Sequence, residues 1–131
     1  MAESAYPRNV QRTLKLALTD TPVVALLGPR QSGKSTLVRT LAPERAYVTL
    51  DEEPTLRTAR EDPVGFVAAL PARVTLDEIQ RAPGLLLAIK AAVDRDRRPG
   101  RLLLTGSANL LLLPGVGDSL AGRIEIVQLH P

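Results

Sequence analysis

Eight consecutive residues, from Gly28 to Ser35, match the phosphate-binding pattern G-x-x-x-x-G-K-[ST] at every fixed position. Gly28 and Gly33 allow the backbone to curl so that its N-H groups point inward at an anion. Lys34 can bring an ammonium group to the β and γ phosphates of a nucleotide, and Ser35 offers a hydroxyl to Mg²⁺. We therefore predict that this octet binds a phosphate chain.

The neighbouring sequence favours this interpretation, because the apolar run 23–27 precedes the octet and residues 36–38 continue as a helix would. The loop would then connect a strand to a helix whose positive end faces the phosphates. Pro29 and Arg30 stand at variable positions, and we expect no catalytic role for them. The alternative is a glycine-rich loop before an ordinary helix. The residues predicted to contact the nucleotide here are Gly28, Pro29, Arg30, Gln31, Ser32, Gly33, Lys34, Ser35 and Thr36.

Two carboxylates follow a second apolar run, at residues 74–76. In nucleoside triphosphatases with a phosphate loop, a strand that ends in two acids places the first near Mg²⁺ and the second against the attacking water. We assign Asp77 to the metal and Glu78 to the catalytic base. A strand that ends in Asp-Glu is common, and a surface turn is the alternative.

Small polar residues follow a third apolar run, at residues 102–104. The carboxyl edge of a parallel sheet is where ligands bind, so Thr105, Ser107 or Asn109 would contact the γ-phosphate or orient water. In the alternative, Ser107 or Asn109 caps the helix that follows. The sequence leaves both interpretations open.

Composition limits the chain to one domain with one core. It has 131 residues, 14.1 kDa, no cysteine and a single histidine, His130. These counts exclude a disulfide framework, a thiolate metal site and a histidine cluster, so a bound metal would be a hard ion held by oxygen. We expect no signal peptide and no membrane span, and therefore a cytoplasmic location.

The net charge of +3 and the sequence pI near 9.8 indicate a basic protein, yet the basic residues are scattered along the chain. The densest group, within residues 95–101, is interleaved with Asp94 and Asp96, as in a solvated loop. Only Tyr6, Tyr47 and Phe66 are aromatic, which leaves few platforms for unpaired bases. A nucleic-acid interface is therefore the less favoured interpretation.

Periodicity predicts strands that alternate with helices, which defines an α/β fold with a parallel sheet and right-handed crossovers. An N-terminal helix over about residues 9–19 precedes a core over about residues 23–129, all within one domain of residues 1–131. The predicted strands are 23–27, 46–50, 73–76, 101–104 and 124–129, and the predicted helices after the first are 34–41, 56–61, 64–70 and 83–94, with a further helix start at 107–113 and a short turn at 118–122.

In combination these segments resemble the AAA-type (AAA+ superfamily) ATPases, and more narrowly the prokaryotic predicted ATPases that carry an uncharacterised C-terminal domain. The resemblance covers nearly the whole chain. It is carried by residues 28–37, Leu50-Asp51-Glu52, the segment from Leu76 to Pro83 (LDEIQRAP), residues 100–109 and Leu120-Ala121-Gly122-Arg123.

The resemblance implies a P-loop three-layer sandwich with a five-stranded, mainly parallel sheet, and an ATPase that uses ATP and Mg²⁺. Lys34 and Ser35 match the phosphate and magnesium contacts, while Asp77 and Glu78 match the metal-side acid and the base. Residues 105–109 match the first sensor, which makes Thr105 a nucleotide contact and Asn109 a catalytic candidate.

Arg123 stands where AAA-type enzymes often place an arginine finger that reaches the nucleotide of a neighbouring subunit. A salt bridge with Asp118 or Glu125, or an exposed position, is an equal alternative. A homo-oligomer or a partner protein would supply the neighbour.

Proteins of the resembled family continue past the fifth strand, whereas this chain ends at Pro131, so we expect a truncated core without the lid and with weak hydrolysis. Two other functions stay open. A non-hydrolysing, nucleic-acid-associated regulator would suit the basic pI, and a small P-loop kinase would suit the octet. The Asp77-Glu78 pair argues against the kinase, since a base directed at water would waste ATP.

Overall fold

The computed structural model describes residues 8–29, 33–113 and 122–129 of the chain. Strands and helices alternate along the described part, as the sequence predicts. The elements are α1 (Arg8–Asp20), β1 (Val23–Leu27), α2 (Lys34–Leu41), β2 (Ala46–Thr49), α3 (Glu53–Glu61), α4 (Pro63–Ala68), β3 (Val74–Asp77), α5 (Leu85–Arg95), β4 (Leu102–Gly106) and β5 (Ile124–Gln128), with 3₁₀ turns at Ile79–Arg81 and Ala108–Leu112.

The five strands form one parallel sheet in the order β2-β3-β4-β1-β5. Because all strands run the same way, their carboxyl ends meet at one edge. β4 lies between β1 and β3 and pairs with both, with Leu26 opposite Thr105 and Leu76 opposite Leu104. The tip of β4 therefore separates the loop after β1 from the two acids at the end of β3.

Helices cover both faces of the sheet, which gives three layers. Successive residues of β1 enter opposite cores: Val23, Ala25 and Leu27 pack with α3, α4 and α5, whereas Val24 and Leu26 pack with α1 and α2. Every residue of β1, β3 and β4 is buried. This burial explains why β1 is an unbroken apolar run and why β4 begins with three leucines, as expected for a parallel sheet covered on both faces.

The predicted fold class is confirmed, and the differences lie at element ends. β4 continues to Gly106, and β3 begins at residue 74 and includes Asp77. Thr105 and Asp77 are therefore strand residues, so pairing within the sheet fixes their backbones. α1 extends to Asp20, and the helix start predicted at 107–113 is a 3₁₀ turn. The turn predicted at 118–122 lies mostly outside the described residues. Within the described ranges, no helix has the length and apolar character that crossing a membrane requires.

Candidate functional site

The loop after β1 is anchored at both ends where the structure describes it. The Gly28 N-H donates to the Gly106 carbonyl at 3.1 Å, which ties the loop to the tip of β4. Gly33 has φ of 82°, a left-handed conformation that favours glycine, and it forms the N-cap of α2. Three of the predicted phosphate contacts, Arg30, Gln31 and Ser32, lie outside the described residues.

Lys34 opens α2 with a buried side chain, of which only 5% is exposed. Its Nζ donates to the carbonyl oxygens of Gly28 and Pro29, at 3.1 and 2.8 Å. A buried ammonium needs hydrogen-bond acceptors, and here the loop itself supplies them. The positive charge thus lies against the loop that the pattern predicts to wrap phosphate.

Asp77, the last residue of β3, is buried at 3% exposure and accepts hydrogen bonds from three other elements. Its Oδ1 accepts from Ser35 Oγ at 2.7 Å and from Thr105 Oγ1 at 2.6 Å. Its Oδ2 accepts from Thr49 Oγ1 at 3.0 Å. The carboxylate therefore joins α2, β4 and β2 at the carboxyl edge of the sheet.

The hydroxyl groups decide the charge state of Asp77. Burial acts to raise the pKa of this carboxyl, but hydrogen bonds from Thr105, Ser35, Tyr47 and Thr49 together outweigh burial and lower the pKa. Burial and the adjacent Asp77 in turn raise the pKa of Tyr47 to about 12. At neutral pH the site holds an ionised carboxylate beside a neutral phenol.

Glu78 follows in a left-handed conformation, with φ of 65° and ψ of 48°. Among the described residues it is the one non-glycine residue with positive φ. Its N-H donates to Thr105 Oγ1 at 3.1 Å, and its Oε1 accepts from Gln80 Nε2 at 2.6 Å. Thr105 therefore holds both acids, one through the carboxylate and the other through the backbone.

A third carboxylate joins the pair. Oxygen atoms of Asp51, Asp77 and Glu78 lie within 4.8 Å of one another. Thr49 connects two of these residues, because its Oγ1 donates to Asp77 and accepts from the Asp51 N-H at 3.1 Å. Carboxylates with adjacent hydroxyls form a hard, all-oxygen donor set, which fits Mg²⁺. Asp51, Asp77 and Thr49 line a cleft of about 620 Å³.

The remaining predicted residues lie farther from the acids or have other partners. Thr36 is exposed on α2. Asn109 is exposed, and its N-H donates to Ser107 Oγ at 3.1 Å, so Ser107 caps the 3₁₀ turn as the capping alternative expected. Of the three polar residues considered at the tip of β4, Thr105 is the one that contacts the acids.

Arg123 lies directly before β5, whose first residue pairs with Val23 at the start of β1. It is therefore at the amino edge of the sheet, roughly 15 Å of strand away from the edge that holds Asp77. Its Nε and Nη2 donate to the two carboxylate oxygens of Asp94, at 2.7 and 3.1 Å. Asp94 is a partner that the sequence did not suggest. Of the two partners that it did suggest, Asp118 lies outside the described residues, so a salt bridge with Asp118 stays a prediction. That Arg123 reaches the nucleotide of a neighbouring subunit stays a prediction.

Sequence reasoning did not select four residues of the site: Tyr47, Thr49, Asp51 and Gln80. A signal existed for two of them, since Asp51 follows an apolar strand just as Asp77 does, and Gln80 belongs to the segment that carries the family resemblance. Thr49 and Tyr47 can be identified as site residues only from the three-dimensional structure. They reach Asp77 because β2 pairs with β3, with Thr49 opposite Asp77.

A phosphate loop between β1 and α2, with acids at the end of a parallel strand two positions away, defines a P-loop α/β nucleotide-binding core. The chain belongs to the AAA domain family, whose pattern matches residues 20–131.

Similarity to known proteins agrees with this assignment. The uncharacterized protein Rv2008c of Mycobacterium tuberculosis is 41% identical over 123 residues, which is 93% of this chain and 28% of that protein. The RuvB Holliday junction branch migration motor of Thermotoga maritima is 26% identical with a TM-score of 0.57, over 95% of this chain and 45% of RuvB. The Walker-type ATPase paby2304 of Pyrococcus abyssi has a TM-score of 0.58 at 21% identity, over 99% of this chain and 55% of that protein, and shows the shared fold.

Proposed function

We propose that this chain binds ATP with Mg²⁺ and hydrolyses the bond between the β and γ phosphates. Family membership and the fold support nucleotide binding and hydrolysis in general. The observation that carries the finer proposal is the convergence of Ser35 and Thr105 on Asp77 Oδ1, at 2.7 and 2.6 Å. This convergence joins the phosphate loop, the acidic strand and the polar strand tip through one buried carboxylate.

In this proposal Ser35 and Asp77 hold Mg²⁺, with Asp51 close enough to contribute through water. The bound ion would neutralise charge on the phosphate oxygens. Asp77 suits this role because its lowered pKa keeps it ionised, and because its partners are hydroxyls that can rotate. The buried Lys34 exchanges its loop carbonyls for phosphate oxygens, which are charged and stronger acceptors.

Glu78 acts as the general base. Its carboxylate accepts a proton from water as the water oxygen bonds to the γ-phosphorus, while the bond to the bridging oxygen breaks and ADP leaves. The left-handed conformation and the Thr105 hydroxyl hold the backbone from which this carboxylate projects. Lys34 and the N-terminus of α2 stabilise the negative charge that moves to the leaving oxygen.

The proposal extends to a coupling role. The chain spans 28% of the length of the mycobacterial relatives that it matches. We propose that nucleotide state in this core drives a conformational change read by a partner protein, a further copy of the chain or a further domain. Similarity to the RuvB motor supports a second candidate, in which the same core serves a nucleic-acid-associated regulator. Retention on DNA with a steep salt dependence would favour that candidate.

Nucleotide binding and phosphate release by four variants test the proposal. Lys34→Ala should weaken ATP binding by about 100-fold, because a charged hydrogen-bond donor is lost. Glu78→Gln should keep the affinity and lower turnover by about 10²–10⁴-fold. Lys90→Ala on α5 and Glu61→Gln at the end of α3 are matched controls outside the site and should behave as wild type. Equal binding by Lys34→Ala, or equal turnover by Glu78→Gln, would contradict the assignment.

A further inference from the structure

Gln80 lies in the 3₁₀ turn after Glu78 and bridges two separate elements. Its Nε2 donates to Glu78 Oε1 at 2.6 Å, and its Oε1 accepts from the Ser107 N-H at 3.1 Å. Glu78 follows β3, whereas Ser107 is the first residue after β4. One amide thus connects the proposed base to the backbone at the tip of the neighbouring strand.

We propose that Gln80 is a positioning residue, which fixes the orientation of the Glu78 carboxylate relative to the tip of β4. This inference rests on the proposed function, since it assigns a task to the same base. When the backbone at Ser107 shifts, the amide transmits the shift to the carboxylate. The base is then aligned only when the tip of β4 is in place beside the nucleotide.

The chemistry of the two partners fixes the direction of the amide. An ionised carboxylate only accepts hydrogen bonds, and a backbone N-H only donates. The amide of Gln80 offers both a donor and an acceptor in the same plane, so it suits both partners. A reversed amide would break both bonds, so the bridge has a single orientation.

The neighbouring residues leave space for this bridge. A Cβ added at Gly106 would lie 2.9 Å from Gln80 Oε1 and 2.9 Å from Ile79 Cγ2. Gly106 therefore allows the turn after β3 to pack against the tip of β4. The base is tied to β4 twice, by its backbone N-H through Thr105 and by its carboxylate through Gln80. With the backbone held by Thr105, the orientation of the side chain depends on Gln80.

The test compares variants that break different parts of the bridge. Gln80→Met removes both hydrogen bonds at similar length. Gln80→Glu keeps an acceptor for Ser107 but places a carboxylate against Glu78. Both variants should lower kcat about tenfold, as expected for one lost hydrogen bond to a charged group, with ATP affinity within about twofold of wild type. Gln11→Met on α1 is the control for the substitution itself.

The other end of the bridge offers an independent variant. Ser107 has φ of −79° and ψ of 144°, which proline adopts without strain, and a strand residue precedes it. Ser107→Pro removes the N-H, while Ser107→Ala keeps it and loses only the cap. We expect a kcat about tenfold lower for Ser107→Pro than for Ser107→Ala. Equal kcat for these two, or wild-type kcat for Gln80→Met, would overturn the proposal.

A readout without turnover separates this inference from the proposed function. Hydrogen exchange at the Ser107 amide should accelerate about tenfold or more in Gln80→Met, and less in Gln80→Glu, where the acceptor is kept. If wild type releases no phosphate but the exchange follows this order, the proposed function fails and the bridge stands. If exchange is unchanged in Gln80→Met, the bridge itself is wrong.

Discussion

The sheet buries a charge at each end, and the two charges are held in different ways. At the carboxyl edge, Asp77 is 3% exposed and accepts hydrogen bonds from side-chain hydroxyls of Ser35, Thr49 and Thr105. At the amino edge, Arg45 is 8% exposed and its Nη2 donates to the backbone carbonyls of residues 74 and 101, at 3.1 and 3.0 Å. Burial of charge is therefore common to both edges.

The partners distinguish the two charges. A hydroxyl can rotate and can donate or accept, so the groups around Asp77 can be rearranged when a ligand arrives. A backbone carbonyl in a sheet is fixed by its strand, so Arg45 can only hold together the starts of β3 and β4. Adjacent cavities do not distinguish them, since the cavity beside Arg45 is about 600 Å³ and the one beside Asp77 about 620 Å³. The type of partner therefore distinguishes the proposed site at Asp77 from the structural contact at Arg45.

The largest expected effect on stability is at Arg45. We expect Arg45→Ala to lower the free energy of unfolding by about 2–4 kcal/mol, because it leaves a cavity and removes two charged hydrogen bonds. ATP affinity should stay within about twofold of wild type. Denaturant unfolding and nucleotide titration measure the two quantities.

Arg73→Ala is the control for Arg45→Ala. Arg73 is exposed, and after burial its repulsion is the second cause that lowers the pKa of Arg45. Removing this repulsion should leave stability equal or slightly higher. A tenfold loss of ATP affinity in Arg45→Ala with intact folding would show that the amino edge also serves the ligand, and the contrast between the edges would be wrong.

A smaller, pH-dependent effect is expected at Asp77. Its pKa is lower in the folded chain than in the unfolded chain, so its contribution to stability is present above the unfolded pKa and is lost as pH falls through the folded pKa. Asp77→Asn should therefore cost about 1–2 kcal/mol at pH 7, and this cost should begin to shrink only below the unfolded pKa, about 4, and disappear once pH is below the folded pKa.

The two edges should also differ across pH. The cost of Arg45→Ala should stay constant as pH falls from 7 to below 4, because a guanidinium stays protonated. Unfolding of both variants and wild type at each pH measures this difference. A cost at Asp77 that stays constant with pH would mean that the hydroxyls hold a neutral group.

The same contrast explains what the sequence could predict. The octet and the Asp77-Glu78 pair can be predicted from the sequence because their functional residues are consecutive and lie next to apolar strands. Thr49 could not be found in this way, because it reaches Asp77 only through the pairing of β2 with β3. Arg45 was equally hidden, since an arginine between a helix and a strand is ordinarily exposed.

The left-handed backbone of Glu78 was likewise absent from any local pattern. Nothing in the segment VTLDEIQ indicates a positive φ, and glycine would be the expected residue for one. The tertiary contact that holds this backbone is the bond from the Glu78 N-H to Thr105, 27 residues along the chain, whereas the bond to Gln80 is local.

The two edges also differ in the types of residue that adopt a left-handed backbone conformation. The smallest predicted effect on stability follows from this difference. At the amino edge the described left-handed positions are glycines, Gly100 and Gly122, and at Gly100 a Cβ would lie 2.7 Å from the Leu18 carbonyl oxygen. At the carboxyl edge Gly33 is again a glycine, but Glu78 is not, so there the chain keeps a side chain where glycine would be less strained. Glu78→Gly and Glu78→Ala both delete the carboxylate, yet the glycine variant should be more stable by about 1 kcal/mol, because alanine retains the steric penalty.

The exposed position Arg57, in the middle of α3, supplies the reversed control. There Arg57→Ala should be more stable than Arg57→Gly by about 1 kcal/mol, the ordinary order in a helix. Denaturant unfolding of the four variants gives the comparison. If alanine is the more stable replacement at both positions, the left-handed conformation of Glu78 is wrong. If glycine is the more stable replacement at position 78 and alanine at position 57, the backbone strain lies at Glu78, the residue that the proposal makes the base. The carboxyl edge would then differ from the amino edge in backbone strain as well as in the partners of its buried charge.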